Sequence, residues 1–371
     1  MIPYGAVDFT EEERKAINKV LDRNWWGLAE EGKEFEKELA EAQGTKHAIF
    51  VSSGSAALEL GIAASKLPEG SEVIVPATTF PTPVASLIRN NLVPVVVDVG
   101  DDFQISPEAI ERDVTNDTKA ILIVNVAGNL GNYDEYQRIA KEHGVKLLVD
   151  DADGFGGTWD GKMSGTLGSF SVISTHAAHI IATGQGGVLF TDDDVLTRSV
   201  REMRDWGRTV NFESGGEPNM PKEYQRYTYT EIGYNFQPLE LQAAMGRVQL
   251  RKLQAYKEKR RDNFWELYDR LYGQDGVVVT TIHDKADPCW HTFPMLVEDR
   301  PAVIDRLNKE KIDWRPILAG NIARQPAYKD KVIVRGELTK ADEVFEKGIW
   351  LPVHPMHGDK EMELIAKTIL G

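Results

Sequence analysis

A chain of 371 residues, 42% hydrophobic and 27% charged, has the composition of an ordinary globular protein and is longer than one small core requires. Its formal charge of −15 opposes non-specific binding to nucleic acid or an anionic membrane, and no apolar run approaches the ~20 residues that span a bilayer. The single cysteine, Cys289, excludes an internal disulfide, a Cys-ligated iron–sulfur cluster and a multi-cysteine zinc site. With no secretory pattern in "MIPYGAVDFTEEERKAI", the expected setting is the cytoplasm.

From the N-terminus, Thr10 followed by three glutamates predicts a capped helix over "EEERKAINKVLDR". A second helix is predicted over "EGKEFEKELAEAQG", closed by its glycine. Five short β-branched runs come next: "HAIFVSS", "EVIVP", "VPVVVDV", "KAILIVNV" and "VKLLVDD". Helical segments separate them: "SAALELGIAASKL", "PTPVASLIRNN", "SPEAIERDV" and "NYDEYQRIAKEHG". This rhythm predicts an α/β fold with a mostly parallel sheet covered by helices. Residues 171–193, "SVISTHAAHIIATGQGGVLFTDD", read as strand, polar turn, apolar run, glycine cluster and strand. Residues 211–227, "NFESGGEPNMPKEYQRY", read as a polar loop longer than a connection needs. Past about residue 245 a long amphipathic helix or broken pair leads into a small α+β unit. The expected division is a large unit over 1–245, N-terminal helices included, and a small unit over 246–371.

In an open parallel sheet, ligands collect at the carboxyl ends of the strands. "VSSGSAALEL" is such a junction, where Gly54, Ser55 and Ala56 open a helix after a strand. Free amides and hydroxyls there would bind a phosphate, and a plain capped helix would look the same. Asp150 ends a buried strand in "VKLLVDDADGFGG", where a carboxylate is costly without a cation or strong donor. It either caps the next segment or faces a protonated heterocycle nitrogen. Phe80 in "PATTFPTP" is either core or a stacking partner for a flat ring, and Ser174 is either a cap or a second phosphate donor. Taken together, these residues point to a pocket for a phosphate-bearing aromatic cofactor.

The ordered set "SSGSAA", "VPATTF", "DDADGFGG", "STHAAHIIATGQGG" and "IGYNFQPLELQAAMG" resembles the sugar aminotransferases of the DegT/DnrJ/EryC1/StrS superfamily, fold-type-I pyridoxal-phosphate enzymes. "KAILIVNVAGNLGNYDE", "MRDWGR", "YTYTEIGYN" and "WRPILAGNIARQPAY" are similar to its nucleotide-sugar 3-dehydratase branch, which includes the GDP-4-keto-6-deoxymannose 3-dehydratases and CDP-linked counterparts. The resemblance runs from about residue 5 to the end. It implies that His179 stands where relatives carry the Schiff-base lysine; Lys162 and Lys222 are the nearest lysines and neither lies at that position. Imidazole forms no stable covalent link to the cofactor but acts as a base near neutral pH.

By the same resemblance, pyridoxamine phosphate condenses with a C4 ketone of a 4-keto-6-deoxysugar. His179 takes a proton from the cofactor's C4′ methylene, Asp150 keeps the ring protonated, and the C3 hydroxyl leaves. Glutamate then regenerates the amine form. Gly54, Ser55, Ala56 and Ser174 match the phosphate site, Phe80 the stacking ring, and Asp153 a position near the cofactor's phenolic oxygen. Asn235 matches a residue reaching the partner subunit's phosphate, which implies a homodimer with shared sites. Arg315, Asn321 and Arg324 match a sugar-nucleotide-contacting segment, and no metal ligand is implied.

The sequence departs from the family's pattern at three places. Gln185 replaces a glutamate, Ala178 a serine, and "TVNFESGG" follows "RDWGR" where CDP-type enzymes carry cluster cysteines. The expected function is therefore a cluster-free 3-dehydratase. The alternatives are a sugar aminotransferase with its lysine replaced and a non-catalytic ligand-sensing relative.

Overall fold

The β-branched runs form the strands His47–Val51, Glu72–Pro76, Val93–Val97, Thr118–Val124 and Lys146–Asp150 in a computed structural model that describes residues 1–210 and 219–371. Three more strands complete an eight-stranded sheet: Phe170–Ser174, Gly187–Thr191 and Ile333–Val334. From one edge to the other the order is 47–51, 187–191, 170–174, 146–150, 118–124, 72–76, 93–97 and 333–334. Every neighbouring pair from 170–174 onward is parallel; only 187–191 runs against its neighbours.

Both faces of this sheet are buried, as parallel sheets require. Val73, Val75, Val96 and Leu122 pack on one side with the helices Gly54–Ala64 and Pro81–Arg89. Ile74, Val95, Val97 and Ile121 pack on the other with the helices Pro107–Asp113 and Tyr133–His143. Gly144 closes the last of these in the left-handed region at φ 65°, where a side chain would be strained.

The N-terminal helices form as expected, at Glu11–Asp22 and Glu30–Gln43, and Thr10 and Glu13 make a capping box on the first. The second has no side-chain cap of its own. The buried Glu240 carboxylate instead accepts from the amides of Ala29, Glu31 and Gly32 at 2.7–2.8 Å, tying this helix to Glu240–Arg251. The long C-terminal helix is a broken pair, Glu240–Arg251 and Leu253–Leu271, meeting at Lys252.

Beyond it, Val277–Val279, Thr292–Val297 and Gly348–Pro352 form an antiparallel sheet. Phe264, Leu267, Phe293, Met295 and Ile365 fill a separate core against it. The same C-terminal segment returns to the large sheet through Ile333–Val334, a two-residue edge strand with no sequence pattern of its own. The loop expected over 211–227 lies outside the described residues up to 218; its end carries the short 3-10 turn Lys222–Tyr227. Among the described residues no helix is long and apolar enough to cross a membrane.

Candidate active site

A cavity of about 410 Å³ opens at the carboxyl ends of the parallel strands, the side where the loops of an α/β sheet hold ligands. Gly54, Ser55, Phe80, Asp150, Asp153, Ser174 and His179 all line it, so residues spread over 126 positions of sequence meet in one place.

The phosphate end is built by close backbone approach. A Cβ on Gly54 would lie 2.9 Å from Ser174 Cβ, and one on Gly187 would lie 2.3 Å from the Gly54 nitrogen. Glycine at both positions lets the strand ending at Ser174 press against the start of the helix Gly54–Ala64. Ser55 Oγ lies 3.1 Å from Thr82 Oγ1, a hydroxyl that sequence reasoning missed and that also lines the cavity. Three hydroxyls around a helix N-terminus make a cradle for a doubly charged anion. Ala56, the fourth residue expected at this end, donates its amide to the cap Ser53 Oγ at 3.0 Å; its side chain is buried and is not brought to the cavity wall.

Phe80 sits at the start of the helix Pro81–Arg89 and is 53% exposed, so the core alternative for it is wrong. Asp150 ends its strand 5% exposed, with one oxygen accepting the Ala152 amide at 3.1 Å. Burial pushes its carboxyl up to about 6. Its neighbour Asp151 points away from the cavity and ties the sheet together, accepting from Asn125 Nδ2 and Ser164 Oγ, each at 2.6 Å. Burial pushes Asp151 up to about 7. The two aspartates therefore divide the work: one faces the cavity and the other is structural.

His179 lies in the turn between the strands 170–174 and 187–191. Pairs between Thr175 and Gly186 and between Thr183 and Thr175 brace that turn, and the apolar run Ile180–Ala182 is buried beneath it. His179 Nδ1 faces Asp153 Oδ1 at 3.5 Å and has no hydrogen-bond partner. Burial, then His176, then Arg260 push the imidazole down to about 3, while a hydrogen bond to the Ala152 backbone pulls the other way. Burial and the neighbouring Asp150 push Asp153 up to about 7. Desolvation thus favours a neutral imidazole beside a carboxyl group that titrates near neutrality.

His291, far away in sequence, completes the cluster, its Nε2 3.9 Å from Asp153 Oδ1. One atom from each of the three side chains falls within 4.8 Å of the others. The span would admit a cation, but the buried Arg260 guanidinium acts on all three groups and opposes a second positive charge there. The cluster is therefore suited to handling a proton. No lysine lines the cavity among the described residues, and Lys162 and Lys222 are exposed elsewhere.

The remaining sequence candidates lie outside the cavity lining. Asn235 is exposed, in an isolated bridge to Asp205. Arg315 pairs with Asp313 and lies 5.3 Å over the ring of Tyr4, which lines the cavity. Asn321 is fully buried, capping the turn Ile322–Arg324 and donating to Asp342 at 2.7 Å, and Arg324 pairs with the same Asp342 at 2.7 Å. Tyr4, Leu318 and Trp350 line the site without any local signal in sequence. The hydroxyl cradle, the exposed ring of Phe80, the buried Asp150 and the unpartnered His179 Nδ1 fit a phosphate-bearing pyridine cofactor.

Comparison with known proteins gives the same direction. The profile of the DegT/DnrJ/EryC1/StrS aminotransferase family matches residues 7–370. The chain is similar to lipopolysaccharide biosynthesis protein RfbH of Salmonella typhimurium, 33% identical over 95% of this chain and 87% of that one. It is also similar to the GDP-4-keto-6-deoxy-D-mannose 3-dehydratase of Yersinia pseudotuberculosis, 30% identical over 95% and 94%. A crystal structure of GDP-4-keto-6-deoxymannose-3-dehydratase with a trapped PLP-glutamate geminal diamine superposes with a TM-score of 0.95, at 28% identity and full coverage of both chains.

Proposed function

This chain belongs to the DegT/DnrJ/EryC1/StrS aminotransferase family, and on that premise we propose that it is a pyridoxamine-phosphate-dependent nucleotide-sugar 3-dehydratase, free of an iron–sulfur cluster, with His179 as its base. The observation that carries this reading is the cavity wall. A histidine rather than a lysine stands beside Asp153 on the wall that Asp150 also lines, and among the described residues no lysine lines the space where a covalent link would form. The cluster-free part rests on Cys289. It is the sole cysteine and fully buried, and one thiolate cannot supply the set of ligands that holds an iron–sulfur cluster.

When bound, the cofactor supplies an amine for the sugar ketone and a ring that accepts negative charge. The chain's own residues do the rest. The start of the helix at Gly54 and the hydroxyls of Ser55 and Ser174 hold the phosphate. Phe80 covers one face of the ring. Asp150 holds a proton at the ring nitrogen, where pairing with a cation offsets the cost of its buried charge. His179 takes and returns a proton at an imidazole nitrogen, and Asp153 stands beside it to accept or return part of that charge. Asp150 would keep the bound ring able to accept negative charge, and the proton that His179 takes would be returned to the C3 hydroxyl so that it leaves as water.

The proposal extends to a homodimer. Asn235 is exposed among Trp206, Tyr229, Ile232 and Tyr234, which are 38–95% exposed; this is the kind of apolar patch that a second copy would cover. It also includes glutamate as amino donor, a cytoplasmic setting without nucleic-acid or membrane partners, the contacts of Arg315, Asn321 and Arg324 to the sugar nucleotide, and the division at residue 245. The test is incubation with pyridoxamine phosphate, glutamate and a panel of GDP-, CDP-, dTDP- and UDP-linked 4-keto-6-deoxysugars. The reading predicts loss of the C3 hydroxyl from one of them. Transfer of an amino group to C4 with the C3 hydroxyl retained would mark an aminotransferase, and no turnover of any sugar a ligand-sensing relative.

A further inference from the structure

His291 stands at the back of the cavity, 6% exposed, just before the strand Thr292–Val297. Its ring lies nearly parallel to that of His179, with centroids 5.0 Å apart and planes at 24°. Its other sides are closed edge-on by Tyr4 at 5.8 Å and Trp350 at 6.1 Å. The His291 Nδ1 is buried without a partner.

The backbone beneath His291 is fixed by hydrogen bonds on two sides. Its amide donates to Ala127 O at 2.9 Å, and the Ala127 amide donates to Asp153 Oδ2 at 3.3 Å. Gly128, at φ 85°, is needed at this crossing, because a Cβ there would lie 2.3 Å from Cys289 O and 3.0 Å from the His291 nitrogen. From the other side, Arg260 donates to His291 O at 2.8 Å and to Trp290 O at 3.3 Å. Arg260 is 1% exposed, and no carboxylate lies within 4.0 Å of it among the described residues. A guanidinium buried against neutral carbonyls is costly, so this one is kept for what it fixes. The result is a closed circuit of contacts: Asp153 to Ala127, Ala127 to His291, His291 to His179, and His179 back to Asp153.

We propose that His291 is a positioning residue for His179: its ring face holds the His179 imidazole against Asp153 in the orientation that proton transfer needs. The inference rests on His179 being the base. Removing the His291 ring frees His179 to rotate into the space left, and misplacement of this kind slows chemistry far more than it weakens binding. Burial first, then His179 and Arg260, push His291 well below its ordinary range, so it stacks as a neutral ring without repelling its neighbour.

The test compares His291→Ala with His291→Phe, which keeps a flat face and loses both nitrogens. In cofactor-free protein carrying labelled histidine, the His179 resonance is assigned by its loss in His179→Asn among the eight histidines. His291→Ala is expected to shift and broaden that resonance. It should lower kcat about 10- to 100-fold, with KM for the sugar nucleotide changed less than about threefold. His291→Phe should restore the resonance to a single sharp line and recover kcat to within about tenfold of the parent. If His291→Ala fails to fold, the Phe variant decides alone. A parent-like His179 line with near-parent kcat supports positioning by the ring face, and loss of both overturns it. A folded His291→Ala with an unmoved His179 resonance and parent kcat also overturns it, as does loss of activity in both variants with the resonance unmoved. His179 being something other than the base would appear separately, as activity surviving in His179→Asn.

Discussion

Gly54→Ala separates the two roles of the helix start, folding and phosphate binding. Gly54 does not occupy the left-handed region, so alanine fits the backbone and reduces the freedom of the unfolded chain, a gain of about 0.4–1 kcal/mol. The new methyl would lie 2.9 Å from Ser174 Cβ and 3.2 Å from Ser174 Cα. Ser174 must give by several tenths of an ångström, and overpacking of this kind costs about 1–3 kcal/mol. The cofactor-free protein should therefore lose only about 0–2.5 kcal/mol. Binding should suffer more, because the methyl stands in the cradle and displaces the Ser174 hydroxyl. Loss of one charge-assisted hydrogen bond at about 1.5–3 kcal/mol weakens cofactor affinity about 10- to 100-fold. Calorimetric melting gives the first quantity and a fluorescence titration with pyridoxamine phosphate the second. Parent-like cofactor affinity in a folded Gly54→Ala protein would refute the assignment of the phosphate site.

Asp150→Asn should bind cofactor poorly and lose turnover by several orders of magnitude, measured in single-turnover dehydration, because an amide cannot hold the ring nitrogen's proton. Asp151→Asn should spare turnover and change the pH dependence of melting instead. The Asp151 carboxyl is raised to about 7 in the fold, so its contribution is fully present below about pH 4 and is lost as pH rises through about 7. The variant should accordingly gain on the parent across that window, by on the order of 2–4 kcal/mol; a difference that is constant with pH would contradict the assignment. Asn235→Ala should weaken cofactor retention about 10- to 100-fold while leaving the dimer in sedimentation runs, and a parent protein that sediments as a fully active monomer would rule out the shared site.

The βαβ rhythm made the five parallel strands and the helices between them legible, because buried strands and amphipathic helices each repeat over a few residues. The glycine that closes the helix Glu30–Gln43 was legible for the same local reason. The residues gathered at strand ends, Gly54 to Ser174, were legible as a set because α/β topology sends strand ends to one side. What escaped depends on contacts across long stretches of chain. Ile333–Val334 is too short to show a period, and Glu240 caps a helix some 200 residues earlier. Tyr4, His291 and Trp350 reach the cavity from opposite ends of the sequence. Asn321 has a structural role that no local pattern announced: it is buried, caps a turn and donates to Asp342.

Single-turnover dehydration by His179→Asn, with pyridoxamine phosphate bound, tests the central claim most directly. Asparagine keeps a hydrogen-bonding side chain at the cavity wall but cannot take a proton. The cofactor should bind within a few-fold of the parent, while C3 dehydration falls about 10²- to 10⁴-fold, the range for loss of a general base. Parent-like dehydration by His179→Asn would place the base elsewhere in the cavity, with His176 the first candidate, and would leave His179 a structural residue.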